Sequence, residues 1–131
     1  LAPEIIHIVP AAALTIYSLK ATISMYTIYR YQTSEGRDVF GQWLGGLRDL
    51  KAKARIAARI DRLAVGSLGD CKPLTGGVAE LRVDYGPGYR VYFARVGKVV
   101  LLLLGGGDKC SQQEDIARAV ECLIDYKRRL E

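Results

Sequence analysis

At 131 residues, half of them hydrophobic and a quarter charged, the chain has the length and balance of one globular domain with a single core. A net charge of +5 fits a polyanionic partner. Three cysteines with no C-x-x-C spacing and a lone His7 argue against both a disulfide scaffold and a zinc site, and place the chain in a reducing cytoplasm.

Residues 1–24 are apolar but interrupted by Pro3, Glu4, Pro10 and Lys20. They lack the basic start of a signal peptide and the unbroken run of a membrane helix. The only methionine, Met25, directly precedes the first strand-like segment. The reading is therefore an N-terminal extension, upstream of the native start, followed by a domain over 25–131. An added strand or helix packed on the domain is the competing account.

Tyr26 to Tyr31 alternates and is rich in β-formers, which predicts a first strand. Thr33 or Ser34 would cap a helix carrying Phe40, Trp43, Leu44 and Leu47, ended by Gly45-Gly46. A second helix is expected over Arg48–Val65, with Ala52, Ile56, Ile60 and Leu63 buried. Its six basic and two acidic residues give a local charge of +4, a solvated face for any one residue but collectively a field that attracts phosphate. Residues 66–73 read as a loop that brings Lys72 to the border of the sheet.

The stretch Glu80–Ile116 organises the rest. Leu81 and Val83 alternate with Arg82 and Asp84, and after Gly86-Pro87-Gly88 the apolar set Val91 and Phe93 alternates with Arg90 and Tyr92. Strand side chains alternate faces, so Arg82, Asp84, Arg90 and Tyr92 share the face opposite the apolar set. Val99–Leu104 is unbroken apolar sequence, as in a central strand covered on both sides. It ends in Gly105-Gly106-Gly107-Asp108-Lys109, read as a close-turning loop, and Ser111 with Glu114 matches a capping box that starts the final helix at about Gln112. The glycine run lacks the G-x-x-x-x-G-K-[ST] spacing of a phosphate-binding loop, which excludes a nucleotidase of that kind. Taken alone, Arg82, Asp84 and Arg90 on adjacent strands are equally an ion-paired, water-facing sheet surface.

The blocks ELRVDYGPGYRVYF and GGGDK, with QQ-x-DI following, resemble the phage-derived addiction-module killer proteins, HigB-like toxins of the RelE/ParE superfamily. The resemblance extends from Tyr26 to about Tyr126. It implies a small α+β domain, β-α-α-β-β-β-α, with a mainly antiparallel twisted sheet and helices packed on one face. It also implies a toxin of a type II toxin–antitoxin module: a cytoplasmic mRNA interferase that cuts mRNA on the ribosome without metal or other cofactor. A cognate antitoxin, of helix-turn-helix type, would hold it in a hetero-oligomer away from any membrane.

Carried over position by position, Arg90 matches the arginine that steadies the scissile phosphate, and Lys109 a basic position after the last strand. Arg82 stands where relatives have a catalytic lysine, and an arginine is a poor base. Asp84 is then the candidate proton acceptor, and the role of a tyrosine that relatives carry near Asp115 is either vacant or taken by Tyr92. The implied catalytic set is Arg82, Asp84, Arg90, Tyr92 and Lys109, and the RNA-binding set Lys72, Arg82, Arg90 and Lys109. The alternative from the same superfamily is a ParE-like toxin that binds DNA gyrase without nuclease activity. A third is an inactive decoy that only sequesters antitoxin.

Overall fold

A computed structural model describes residues 6–7 and 26–131. The expected start at Met25, and the segment 8–25 with it, lie outside the described residues. Ile6–His7 forms a short strand, β1, paired antiparallel with β2 (Thr27–Arg30). There follow α1 (Val39–Gly46), α2 (Leu50–Ala64), β3 (Cys71–Pro73), β4 (Ala79–Val83), β5 (Tyr89–Arg95), β6 (Val100–Asp108), a 3-10 turn (Lys109–Ser111) and α3 (Gln112–Leu130). The molecule is an α+β domain whose six strands run in the order β1-β2-β6-β5-β4-β3. All neighbouring pairs are antiparallel except β2 and β6.

The run Val99–Leu104 becomes the middle of the sheet because both of its faces are covered. Leu101 and Leu103 join Ile28, Leu81, Val83, Val91 and Phe93 beneath Phe40 of α1 and Ala52, Ile56, Ile60 and Leu63 of α2. Leu102 and Leu104 join Tyr31, Tyr92 and Ala94 beneath Ala119, Cys122, Leu123 and Tyr126 of α3. Helices therefore pack on both faces, which corrects the expected one-sided layering. The apolar stripe of α3 needs a sheet to cover it, and α1 and α2 already occupy the other side.

Three local expectations change for physical reasons. Asp38, whose carboxylate accepts from the Gly41 amide at 2.9 Å and pairs with Arg30 at 2.9 Å, caps α1 in place of Thr33 or Ser34. Thr33 instead accepts from the Arg37 amide within the preceding turn. Cys71–Pro73 is a strand and not part of a loop, because it adds to the edge of β4 from Ala79 to Leu81. Gly105–Gly107 belongs to β6 and not to a loop, pairing with Arg90, Val91 and Tyr92. A Cβ on Gly106 would meet the Trp43 ring, and one on Gly107 would meet the Asp115 carboxylate, so the residues are glycine because of what lies above them.

The start and end of the described domain are tied across the sheet. The Tyr31 hydroxyl donates to Asp125, Arg129 donates to the Gln32 carbonyl, and Arg129 lies over the Tyr31 ring. Among the described residues no helix is long and apolar enough to cross a membrane.

Candidate functional site

Strand parity places Glu80, Arg82, Arg90 and Tyr92 on the α3 side of the sheet, with Arg82 opposite Arg90 and Glu80 opposite Tyr92. Beyond Val83 the chain turns through Gly86-Pro87-Gly88, where the glycines take φ of 58° and 88°, a region that side chains other than glycine avoid. Asp84 follows β4 directly and lines the same cleft as the turn. On the other side β6 ends at Asp108, whose carboxylate accepts from the Cys110 amide at 2.8 Å and folds the chain into the 3-10 turn that carries Lys109. Ser111 does not make the expected capping-box contact. It precedes α3, but its hydroxyl donates to Asp115 instead.

The result is a cleft of about 310 Å³ lined by Asp70, Arg82, Asp84, Gly86, Pro87, Gly88, Arg90 and Lys109. Four of the residues expected to form a site, Arg82, Asp84, Arg90 and Lys109, are thus brought together. Asp84 also lines a second hollow with Arg55, Arg59 and Arg62 of α2, so that helix's charge reaches the site from behind. Two of its cations are structural as well: Arg59 donates to the Arg82 carbonyl at 2.7 Å, and Arg55 lies 4.6 Å over the Tyr85 ring.

Two expected residues are not in the cleft. Tyr92 shares the right face, but α3 covers that face and leaves Tyr92 0% exposed. Its hydroxyl has no hydrogen-bond partner among the described residues. Burial first, then the charges of Glu80 and Asp115, push it well above the ordinary tyrosine range, so it stays protonated near neutral pH. Lys72 is exposed on the edge strand β3, beside Glu80 in register. It lines a separate hollow with Tyr26, Pro73, Phe93 and Arg95.

Two residues were missed. Asp70 borders the cleft because its carbonyl accepts from the Arg82 amide at 2.9 Å, a link that loop sequence does not reveal. Glu80 lies 0% exposed under the cleft. Its Oε2 is 2.9 Å from Arg82 Nε and 3.7 Å from Arg90 Nε, and its Oε1 accepts from Gln112 Nε2. The hydrogen bond to Glu80 is the main reason that the Arg82 guanidinium is pushed still further up. The signal for Glu80 was its strand parity, two residues before Arg82. Counting the walls, three cations meet two carboxylates, with Glu80 below. Such a site binds an anion through directed guanidinium and ammonium contacts, and it has carboxylates within it that can accept a proton.

No family model matches the chain. An uncharacterized protein of Haemophilus influenzae is 50% identical over 80 residues, which cover 61% of this chain and 81% of that protein. The chain belongs to the same family as this Haemophilus influenzae protein.

Proposed function

We propose that the chain is the toxin of a type II toxin–antitoxin module, a cytoplasmic, ribosome-associated endoribonuclease of the RelE/ParE superfamily. The observation that carries the reading is the convergence of Arg82, Arg90 and Lys109 on one cleft that also holds Asp84. Breaking a phosphodiester through its own 2′-hydroxyl needs a proton acceptor, cations on the developing phosphorane and a proton for the departing 5′-oxygen. Asp84 takes the 2′ proton, Arg82 and Arg90 bind the non-bridging oxygens, and Lys109 protonates the leaving oxygen. The phosphorus–2′-oxygen bond forms as the phosphorus–5′-oxygen bond breaks. A 2′,3′-cyclic phosphate is left on one fragment and a 5′-hydroxyl on the other.

The test is incubation of purified protein with ribosomes and mRNA, with cleavage sites mapped by primer extension and the new ends identified chemically. Parallel reactions contain gyrase and supercoiled plasmid. Cuts within translated codons that leave a cyclic phosphate support the reading. Gyrase inhibition without RNA cleavage replaces it with the ParE-like alternative. A partner antitoxin follows from the same proposal, because such an activity must be restrained in the cell that makes it. An acidic antitoxin segment laid across Arg90 and Lys109 would be steered by the α2 cations, giving an association rate that falls steeply with salt.

A further inference from the structure

We infer that Glu80 is the positioning residue of the cleft: it hydrogen-bonds the Nε edge of Arg82 and draws Arg90 toward the same oxygen by charge, so that the Nη groups of both serve one oxyanion. As a role in catalysis, this rests on the nuclease reading above. Arg82 and Arg90 are directly opposed in the β4–β5 ladder, where like charges repel and their long side chains would otherwise splay toward water. Glu80 is on the same face two residues before Arg82, and its Oε2 accepts from Arg82 Nε at 2.9 Å. The same oxygen forms an ion pair with Arg90 Nε at 3.7 Å, too long for a hydrogen bond, which leaves that buried Nε with no hydrogen-bond partner among the described residues. Gln112, the first residue of α3, fixes the other oxygen, so the carboxylate cannot rotate away.

The free edges of the guanidiniums match this assignment. Among the described residues, the Nη atoms of Arg82 make no hydrogen bond, and Arg90 uses only Nη1, toward its neighbour's carbonyl at 3.2 Å. Both side chains line the cleft. A guanidinium is planar, so the Nε hydrogen bond fixes the direction of the Arg82 Nη fork, while Arg90 is fixed through Nη1 and its ion pair with Glu80.

Glu80 also cancels part of the positive charge beneath the site. Orientation and attraction are therefore opposed in it, and this separates positioning from mere structural support. Glu80→Gln keeps the shape and the acceptor for Gln112 but removes the charge that holds the arginines. Single-turnover cleavage should fall about 10- to 100-fold, less than the roughly 10²- to 10³-fold for outright loss of a donor, because the arginines remain but are no longer oriented. Binding of a fully 2′-O-methylated RNA oligonucleotide, which lacks the attacking hydroxyl, should be as tight as in the wild type or tighter at low salt. In 15N spectra, the Arg82 Nε–H signal should be sharp and slow to exchange in the wild type. In the variant it should collapse to a solvent-like position while the backbone amide spectrum is retained. Gln112→Ala, which frees the carboxylate without removing it, should show the same pattern at smaller amplitude and serves if Glu80→Gln does not fold. Cleavage within two-fold of wild type in a folded variant, or an unchanged Arg82 Nε–H signal, would overturn the inference. So would cleavage and binding falling together in step with the folded fraction. If the wild type cuts no RNA, the nuclease reading fails on its own, and the Arg82 Nε–H signal and oligonucleotide binding decide the positioning role.

Discussion

Arg82 and Arg90 face each other across the β4–β5 ladder, two like charges held together by the buried carboxylate of Glu80. Arg90 is the more enclosed, with its side chain 13% exposed against 36% for Arg82. A guanidinium so placed is already ordered before substrate arrives. Arg90→Ala and Lys109→Ala should each lower RNA cleavage by about 10²- to 10³-fold, the usual effect of losing one transition-state contact. Lys109 is exposed, so its replacement should leave stability within about 0.5 kcal/mol of wild type. Cleavage kinetics with urea denaturation of the same samples checks both statements, and full activity in either folded variant removes that residue from the site.

Tyr92→Phe gives the opposite expectation. The hydroxyl is buried and bonded to nothing among the described residues, so removing it deletes an unpaired polar group and no contact. Cleavage should remain within two-fold of wild type and the melting temperature should hold or rise. A loss of ten-fold or more would put the tyrosine back in the chemistry.

The three glycines of β6 should not respond alike. A Cβ at Gly105 meets only Val39 at an ordinary 3.7 Å, whereas at Gly106 it falls 2.3 Å from the Trp43 ring. Gly105→Ala should be nearly neutral. Gly106→Ala should cost about 1–3 kcal/mol through overpacking and should shift Trp43 fluorescence as the indole is displaced. Equal stability of the two variants would contradict the placement of α1 over β6.

Asp61 on α2 sits beside a small hollow walled by Ile28, Phe40 and Ile60, and one of its carboxylate oxygens is buried without a hydrogen-bond partner among the described residues. Burial raises its folded-state pKa above the unfolded value. The folded state then holds the proton more tightly, so the ionised carboxylate weakens the fold above that pKa, and the weakening disappears as pH falls through it. Asp61→Asn should therefore raise the melting temperature at pH 8 and lose most of that advantage near pH 4. A gain that does not change with pH would assign the effect to something other than the charge.

Much of this was readable because it is local. Alternation placed β4 and β5, and the spacing of Ala52, Ile56, Ile60 and Leu63 placed the buried stripe of α2, all four of which are buried. The unbroken Val99–Leu104 run correctly implied a strand covered on both sides, although the helices were then assigned to one side. Gly105–Gly107 misled because glycine marks a turn when judged by its neighbours in sequence. Here it answers to Trp43 and Asp115, which lie 63 and 8 positions from Gly106 and Gly107. Glu80 could be placed on the right face by parity, but nothing local tells a buried carboxylate from a wet one. That depends on Gln112 and Arg90 arriving from other elements. Tyr92 had the right parity and the wrong surroundings for the same reason, since α3 closes over it.

The seam between Tyr31 and Asp125 also sets a clock. The two residues are 94 positions apart, so at about 5–20 residues per second a ribosome needs roughly 5–19 s between making the donor and making its acceptor. For most of that interval the sheet itself lacks its central strand β6, and Lys109, the last lining residue of the cleft to be synthesised, is absent as well. A nascent chain therefore completes its sheet with one apolar face still bare, because α3, which covers that face, is made after β6. The surface that a binding partner could seize earliest is the one that the finished molecule hides.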